Sequence, residues 1–322
     1  MRFVAFGANL ARIQNAKHKS KMQKTFIFLL FIAMFFWGLS WPLSKILSSN
    51  HSPFIVAFAR FALVALCLLP IIKYRHLSLK VPRSCYLRLC VNIASNALYS
   101  LVFFYAINLG NAGSAGVITT TLSPILATLL SVIIFGANLS RIELIGLAIG
   151  LVSGVFFISG KGTIFDSFNL FFILAAFLWA CVTLSVRKLP LHPLIINFYS
   201  AFFSAVLFVP FLQSADFGIF AERESLGFLL VIALLSTVFG TSIYYKGIEV
   251  VGITKSASFT LLVPFFAVLL SFVILGEMPE ISTAIGGILA IIAIYLISLY
   301  NKKHFRFLGR FLRKFTQKIH CD

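Results

Sequence analysis

Ten stretches of about 20 apolar residues follow one another along this chain, at about 25–47, 53–72, 87–107, 112–135, 142–159, 168–187, 193–212, 226–247, 254–275 and 281–300. A helix of that length crosses the hydrocarbon core of a bilayer, because it rises about 1.5 Å per residue and the core is about 30 Å thick. In lipid the backbone must satisfy its own hydrogen bonds, which selects helices for runs of this kind. The connections are short and rich in Gly, Pro, Asn, Ser and charge. The two longest, Lys73–Tyr86 and Gln213–Ser225, are too short to fold alone. The expected fold class is an all-α polytopic membrane protein of ten transmembrane helices, with the membrane domain making up the whole protein.

Composition excludes the alternative of a water-soluble protein. Only 11% of residues are charged and 60% are hydrophobic, against about 25% charged in soluble domains. The net charge of +18 would by itself suggest a nucleic-acid partner, but its distribution argues otherwise. Six Lys and Arg precede the first span (Arg2, Arg12, Lys17, Lys19, Lys21, Lys24) and five surround the second loop (Lys73, Arg75, Lys80, Arg83, Arg88). Arg141, Arg187 and Lys188 occupy later loops of the same side, and seven more lie between Lys302 and Lys318. The other side has only Lys45, Lys161 and Arg223. This asymmetry places both termini in the cytoplasm, in agreement with an even number of spans, and assigns the chain to a cytoplasmic (inner) membrane with the lipid bilayer as its surroundings and no nucleic-acid role.

Lys21 and Lys24 followed by Phe26–Phe36 resemble the start of a signal peptide. The apolar run continues past Trp37 without an A-x-A-type site, so a retained first span is expected. Met22 is an alternative start, with residues 1–21 an over-extension.

Catalytic and metal chemistry find no support. The five cysteines (Cys67, Cys85, Cys90, Cys181, Cys321) form no C-x-x-C, and all six histidines lie in loops or tails. Gly154 to Gly162 resembles a P-loop, but the spacing is one residue too long and no Ser or Thr follows Lys161. The expectation is no cofactor, no metal and no ATP hydrolysis, hence no enzyme; a polytopic membrane enzyme or a channel is the alternative. Transport would be driven by a proton gradient or by a counter-solute.

Shifted by 140 residues, the chain partly matches itself. Leu122–Gly136 (LSPILATLLSVIIFG) lies over Leu262–Gly276 (LVPFFAVLLSFVILG) with eight of fifteen positions identical, including Pro124/Pro264, Ser131/Ser271 and Gly136/Gly276. Tyr105 lies over Tyr245 and Gly146 over Gly286. At a shift of 142, Ala33–Trp37 lies over Ala175–Trp179, and Lys45 falls on Arg187. Each repeat holds five spans, an odd number, so the second copy must enter the membrane upside down. Inverted repeats of this kind are a common transporter architecture and give alternating access around a midplane site. The expected organisation is a basic cytoplasmic segment at 1–24, a first five-helix repeat at 25–160, a second inverted one at 167–300, and a basic tail at 301–322. In that tail Phe305, Leu308, Leu312, Phe315 and Ile319 recur at helical spacing, as in an amphipathic helix on an anionic leaflet; a disordered basic tail is the alternative.

Phe36–Pro42 (FWGLSWP), Phe58–Phe61 (FARF), Tyr245–Lys255 (YKGIEVVGITK), Leu262–Pro264 (LVP) and Leu275–Glu277 (LGE) occur in an order that resembles the EamA-type carriers of the drug/metabolite transporter superfamily. The resemblance covers about residues 25–300. It departs from the family pattern at Gly136–Ala137, where Gly-Glu is frequent, and at Ser200, where an Arg is frequent. It implies a ten-span secondary transporter of small organic metabolites, often an exporter of amino acids or related solutes, and leaves a homodimer open.

Candidate site residues follow from polarity within the spans. Arg60 sits about eight residues into the second span; an intramembrane charge is costly and often functional, so it is either an anion contact or a packing and snorkelling residue. Trp37 and Trp179 lie midway along repeat-related spans, where an aromatic ring can stack on a flat or cationic solute. Asn92, Asn96 and Tyr99 share one face of the third span. Thr120 and Thr260 each stand four residues before a proline, Pro124 and Pro264, which removes the donor that a carbonyl one turn back would use. The freed carbonyls either contact solute or the prolines merely shape the bundle. Tyr244 completes the expected substrate-binding set of Trp37, Arg60, Asn96, Tyr99, Thr120, Trp179, Tyr244 and Thr260. Lys246, Glu249 and Lys255 around the eighth turn, with Glu277 at the far edge, are expected to serve gating or structure.

Overall fold

The computed structural model describes residues 2–109, 112–158, 169–187, 189–212, 217–276, 278 and 281–299. Among these residues the secondary structure is helical without strands. Helix α1 is Arg2–Asn50, α2 is Pro53–Tyr74, α3 is Tyr86–Leu109, α4 is Ala112–Phe135 and α5 is Arg141–Ile158. Then come α6 (Asn169–Val186), α7 (Pro193–Leu212), α8 (Arg223–Val250), α9 (Ile253–Leu275) and α10 (Ile281–Ile294). Among the described residues, five helical stretches are both long and apolar enough to cross a membrane: Met22–Asn50, α2, α7, α8 and α9. Thr119–Phe135, Leu170–Val186 and Ala284–Ser298 are shorter apolar helices. The chain is a multi-pass membrane protein. The amphipathic pattern of residues 301–322 and Glu277 lie outside the described residues.

Polarity is distributed as lipid requires. Large apolar side chains such as Phe28, Leu66, Ile133, Val273 and Ile288 face outward, while Asn92, Thr128, Thr183, Ser204, Ser256 and Ser258 are fully enclosed. With hydrocarbon outside, burying Leu brings little gain, and the interior instead collects small residues and hydrogen-bonding side chains. Close approach is built in at Gly38 in α1: an added Cβ would stand 2.4 Å from the Cβ of Phe266 in α9 and 3.0 Å from the Ala267 nitrogen.

Local structure repeats at the shift seen in sequence. Gly136 and Gly276 both adopt left-handed φ, 59° and 69°, just past α4 and α9. Their N–H groups donate to Val132 and Phe272 at 2.9 and 3.0 Å, positions again 140 apart, and glycine takes this helix-ending conformation without the Cβ penalty. Pro53 and Pro193, also 140 apart, each open a helix, where the missing N–H costs nothing. Packing shows the same correspondence. α1 lies against α8 and α9, and α6 lies against α3 and α4; α2 packs on α7 and α5 on α10.

Two departures from regular helix were not expected. Within α8, Ile232–Thr241 is π-helical, and a second π segment, Tyr295–Leu299, continues α10. Pro124 lies inside a continuous α4, whereas Pro264 follows a 3-10 turn, Phe259–Leu261, in α9. The two equivalent prolines therefore shape their helices differently.

Candidate functional site

α1, α3, α6 and α8 bring four aromatic rings together. The Trp37 and Trp179 ring centroids are 5.4 Å apart at 75°. Tyr244 lies 5.2 Å from Trp37 and 6.0 Å from Trp179, and Tyr99 lies 5.0 Å from Trp179. These spacings are those of favourable edge and offset ring pairs. Trp37, Trp179 and Tyr99 keep part of their surface accessible, whereas Tyr244 is fully buried behind them.

Tyr244 and Trp37 are held by their polar ends. The Tyr244 hydroxyl is 2.8 Å from Thr183 Oγ1, and the Thr183 hydroxyl also donates to the Trp179 carbonyl at 3.0 Å. Trp37 Nε1 donates to the Ser236 carbonyl at 2.8 Å. Ser236 belongs to the π segment, whose i→i+5 register differs from that of the flanking helix and lets outside donors reach its carbonyls. Asn197 of α7 uses the next one, donating to the Thr237 carbonyl at 2.8 Å and to Ser242 Oγ at 3.0 Å. Gly240 leaves room for the indole: an added Cβ would stand 2.8 Å from Trp37 Nε1.

Arg60 of α2 lies within electrostatic reach of Tyr99. Its guanidinium carbon lies 4.8 Å from the Phe61 ring centroid. Its Nε is enclosed and has no hydrogen-bond partner among the described residues.

Other expected site residues are used between helices. Asn96 donates to Ser204 Oγ of α7 at 3.0 Å and is buried there. Asn92 donates to Ser185 Oγ at 3.0 Å and accepts from the Ser200 hydroxyl; the position where related sequences often carry Arg is thus a hydroxyl bound to Asn92. The Thr260 hydroxyl is directed at the Thr120 carbonyl at 3.2 Å and at its own helix's Ala257 carbonyl at 2.8 Å. The carbonyl that Pro124 deprives of a partner is therefore met by the equivalent threonine of the second repeat, and Thr260 is buried in that contact. Lys246 pairs with Glu249 at 2.7 and 2.8 Å, but as neighbours on one exposed helix face. Lys255 lies one turn into α9, half-buried.

The two ends of the bundle carry further contacts. At one end Arg187, the counterpart of Lys45, stacks over Phe135 at 4.3 Å and reaches Ser131 Oγ at 3.4 Å. At the other, buried His51 between α1 and α2 meets Glu222 at 3.2 Å and Ser225 at 3.3 Å at the start of α8. Sequence reasoning missed Thr183, Asn197, Ser236 and His51. A buried Asn in an otherwise apolar span was a usable signal for Asn197; nothing local marked a backbone carbonyl such as that of Ser236. Among the described residues no three His, Cys, Asp or Glu side chains converge as a metal site.

The model of the EamA-like transporter family matches residues 24–160 and again 167–299. An uncharacterized transporter of Archaeoglobus fulgidus is 29% identical over 280 residues, 83% of this chain and 95% of that protein. A protein of Rickettsia bellii named S-adenosylmethionine uptake transporter is 25% identical over 270 residues, 81% of this chain and 89% of that protein. A solved crystal structure 17% identical to this chain superposes with a TM-score of 0.73, covering 86% of this chain and 97% of the other.

Proposed function

Because this chain belongs to the EamA-like transporter family, and is a membrane transporter, we propose that it carries a small organic metabolite by alternating access, with the solute bound against Trp37 and Trp179. The architecture we infer is ten spans in two inverted repeats, 25–160 and 167–300, with both termini cytoplasmic in an inner membrane. The observation that carries the reading is the meeting of two tryptophans from equivalent places in the two repeats, 5.4 Å apart and partly accessible. A rocking motion of one repeat against the other changes what surrounds such a pair from both sides of the membrane.

Partly accessible aromatic faces favour a solute with a flat or cationic group. Amino acids with aromatic or cationic side chains meet this description. So does S-adenosylmethionine, the substrate in the name of the Rickettsia bellii relative, which joins a sulfonium cation to an adenine ring. The driving force would be a proton gradient or exchange with a second solute.

Counterflow in proteoliposomes tests the reading. Vesicles are preloaded in turn with amino acids, nucleosides, nucleotide sugars, quaternary amines or S-adenosylmethionine, with and without a protonophore. Accelerated exchange of one aromatic or cationic class is expected. Exchange confined to solutes with neither feature would remove Trp37 and Trp179 from the binding site.

A further inference from the structure

We propose that Arg60 is the anchor for a carboxylate on the transported solute, so that this carrier takes molecules bearing an acid group at one end and a flat or cationic group at the other. The proposal rests on the aromatic-site reading above and extends it to a substrate class.

Arg60 lies within the apolar span α2, seven residues from its start, or about 10 Å into the helix. A guanidinium keeps its charge in a protein and is rarely enclosed without an anion. Among the described residues no carboxylate pairs with it. The reason is visible in the sequence: the chain has nine acids, and none lies in the middle of a span. Glu143 opens α5, Glu222 and Glu224 flank the start of α8, and Glu249 closes α8. The remaining acids lie outside the described residues.

Among the described residues, the partners of Arg60 leave its charge uncompensated. Phe61 offers a ring face at 4.8 Å, which attracts a cation weakly compared with an anion. Tyr99 lies within electrostatic reach of the guanidinium and touches Trp179. Nε remains enclosed without an acceptor. A charge of one sign, with an unused donor, thus acts on the tyrosine that touches Trp179. A planar guanidinium matches a carboxylate through two parallel N–H···O bonds, stronger than neutral hydrogen bonds. A solute lying along Trp179 would place its acid at Arg60 and its ring or cation against the accessible faces of Trp37 and Trp179.

The test is counterflow with matched pairs that differ only in the carboxylate: tyrosine and tyramine, tryptophan and tryptamine, histidine and histamine, S-adenosylmethionine and its decarboxylated analogue. The acid of at least one pair is expected to exchange at least tenfold faster than its amine. Arg60→Met should erase that preference and Arg60→Lys should keep part of it. Equal exchange of acid and amine, or an acid preference that survives in Arg60→Met, would overturn the carboxylate anchor while leaving the carrier reading intact. Exchange of no member of any pair by folded wild-type protein would overturn both the anchor and the aromatic-solute reading. If Arg60→Met does not fold, the acid-to-amine ratio of the wild type and of Arg60→Lys decides.

Discussion

Trp37 and Trp179 stand 142 positions apart in the chain and meet edge to face, 5.4 Å between ring centroids. Thr120 and Thr260, 140 apart, also touch, through the Thr260 hydroxyl and the Thr120 carbonyl at 3.2 Å. Equivalent residues of two repeats meet only near an axis that relates the repeats. These two contacts therefore mark where such an axis would pass, and the first lies among partly accessible rings.

If the tryptophans hold the solute, Trp37→Ala and Trp179→Ala each lower transport at least tenfold while membrane expression is unchanged. Initial rates in proteoliposomes normalised to reconstituted protein check this. Wild-type rates in both variants would refute the aromatic site.

Replacing Gly240 by Val puts atoms where the Trp37 indole sits, since even a Cβ would be 2.8 Å from Nε1. The indole must then give up the Ser236 carbonyl. Transport is expected to fall in Gly240→Val as it does in Trp37→Ala, and the double variant should be no worse than the worse single one. Additive losses in a double-mutant cycle would show that the two positions act independently.

Thr183→Val keeps the shape of the side chain but removes the oxygen 2.8 Å from the Tyr244 hydroxyl. That buried hydroxyl loses the Thr183 partner, at a cost of about 1–2 kcal/mol in a membrane interior. The expected result is a melting temperature a few degrees lower in detergent. The additional change Tyr244→Phe should recover part of the loss, because the hydroxyl left without Thr183 is then gone.

His192 caps α7, its Nδ1 accepting the Leu194 N–H at 3.2 Å. Partial burial holds its pKa below the ordinary histidine value; nearby Arg75 and Lys246 act in the same direction and Glu249 opposes them. The unfolded chain therefore binds the proton more readily than the folded one, so the cap's contribution is intact above about pH 6.5 and is lost as pH falls below it. Melting temperatures measured from pH 7.5 down to 5 should decline more steeply for the wild type than for His192→Asn, which retains a capping oxygen that does not titrate. Equal slopes would show that His192 does not contribute to the pH dependence.

A residue in a lipid-spanning run has few options, which is why so much here was legible from the chain alone. Runs of about 20 apolar residues must be helices in a bilayer, and the helical, membrane-spanning character follows from that alone. Sequence self-similarity at 140 to 142 residues singled out Trp37 and Trp179, and the tertiary structure joins them. The same self-similarity paired Gly136 with Gly276, and both prove to end their helices in left-handed conformation. Partner choice was decided only by packing. Asn96 could be placed on a helix face, but its bond to Ser204 depends on how α3 meets α7. The carbonyl freed by Pro124 was predictable from covalent geometry, yet its acceptance of a hydrogen bond from Thr260 required the two repeats to face each other. The π segment that receives Trp37 has no local sequence signature, because its register is fixed by side chains from α1 and α7, far away in the chain. Span length and periodicity are properties of single helices and can be read along the chain; hydrogen-bond partners between helices are properties of pairs, and they exist only once the bundle has assembled.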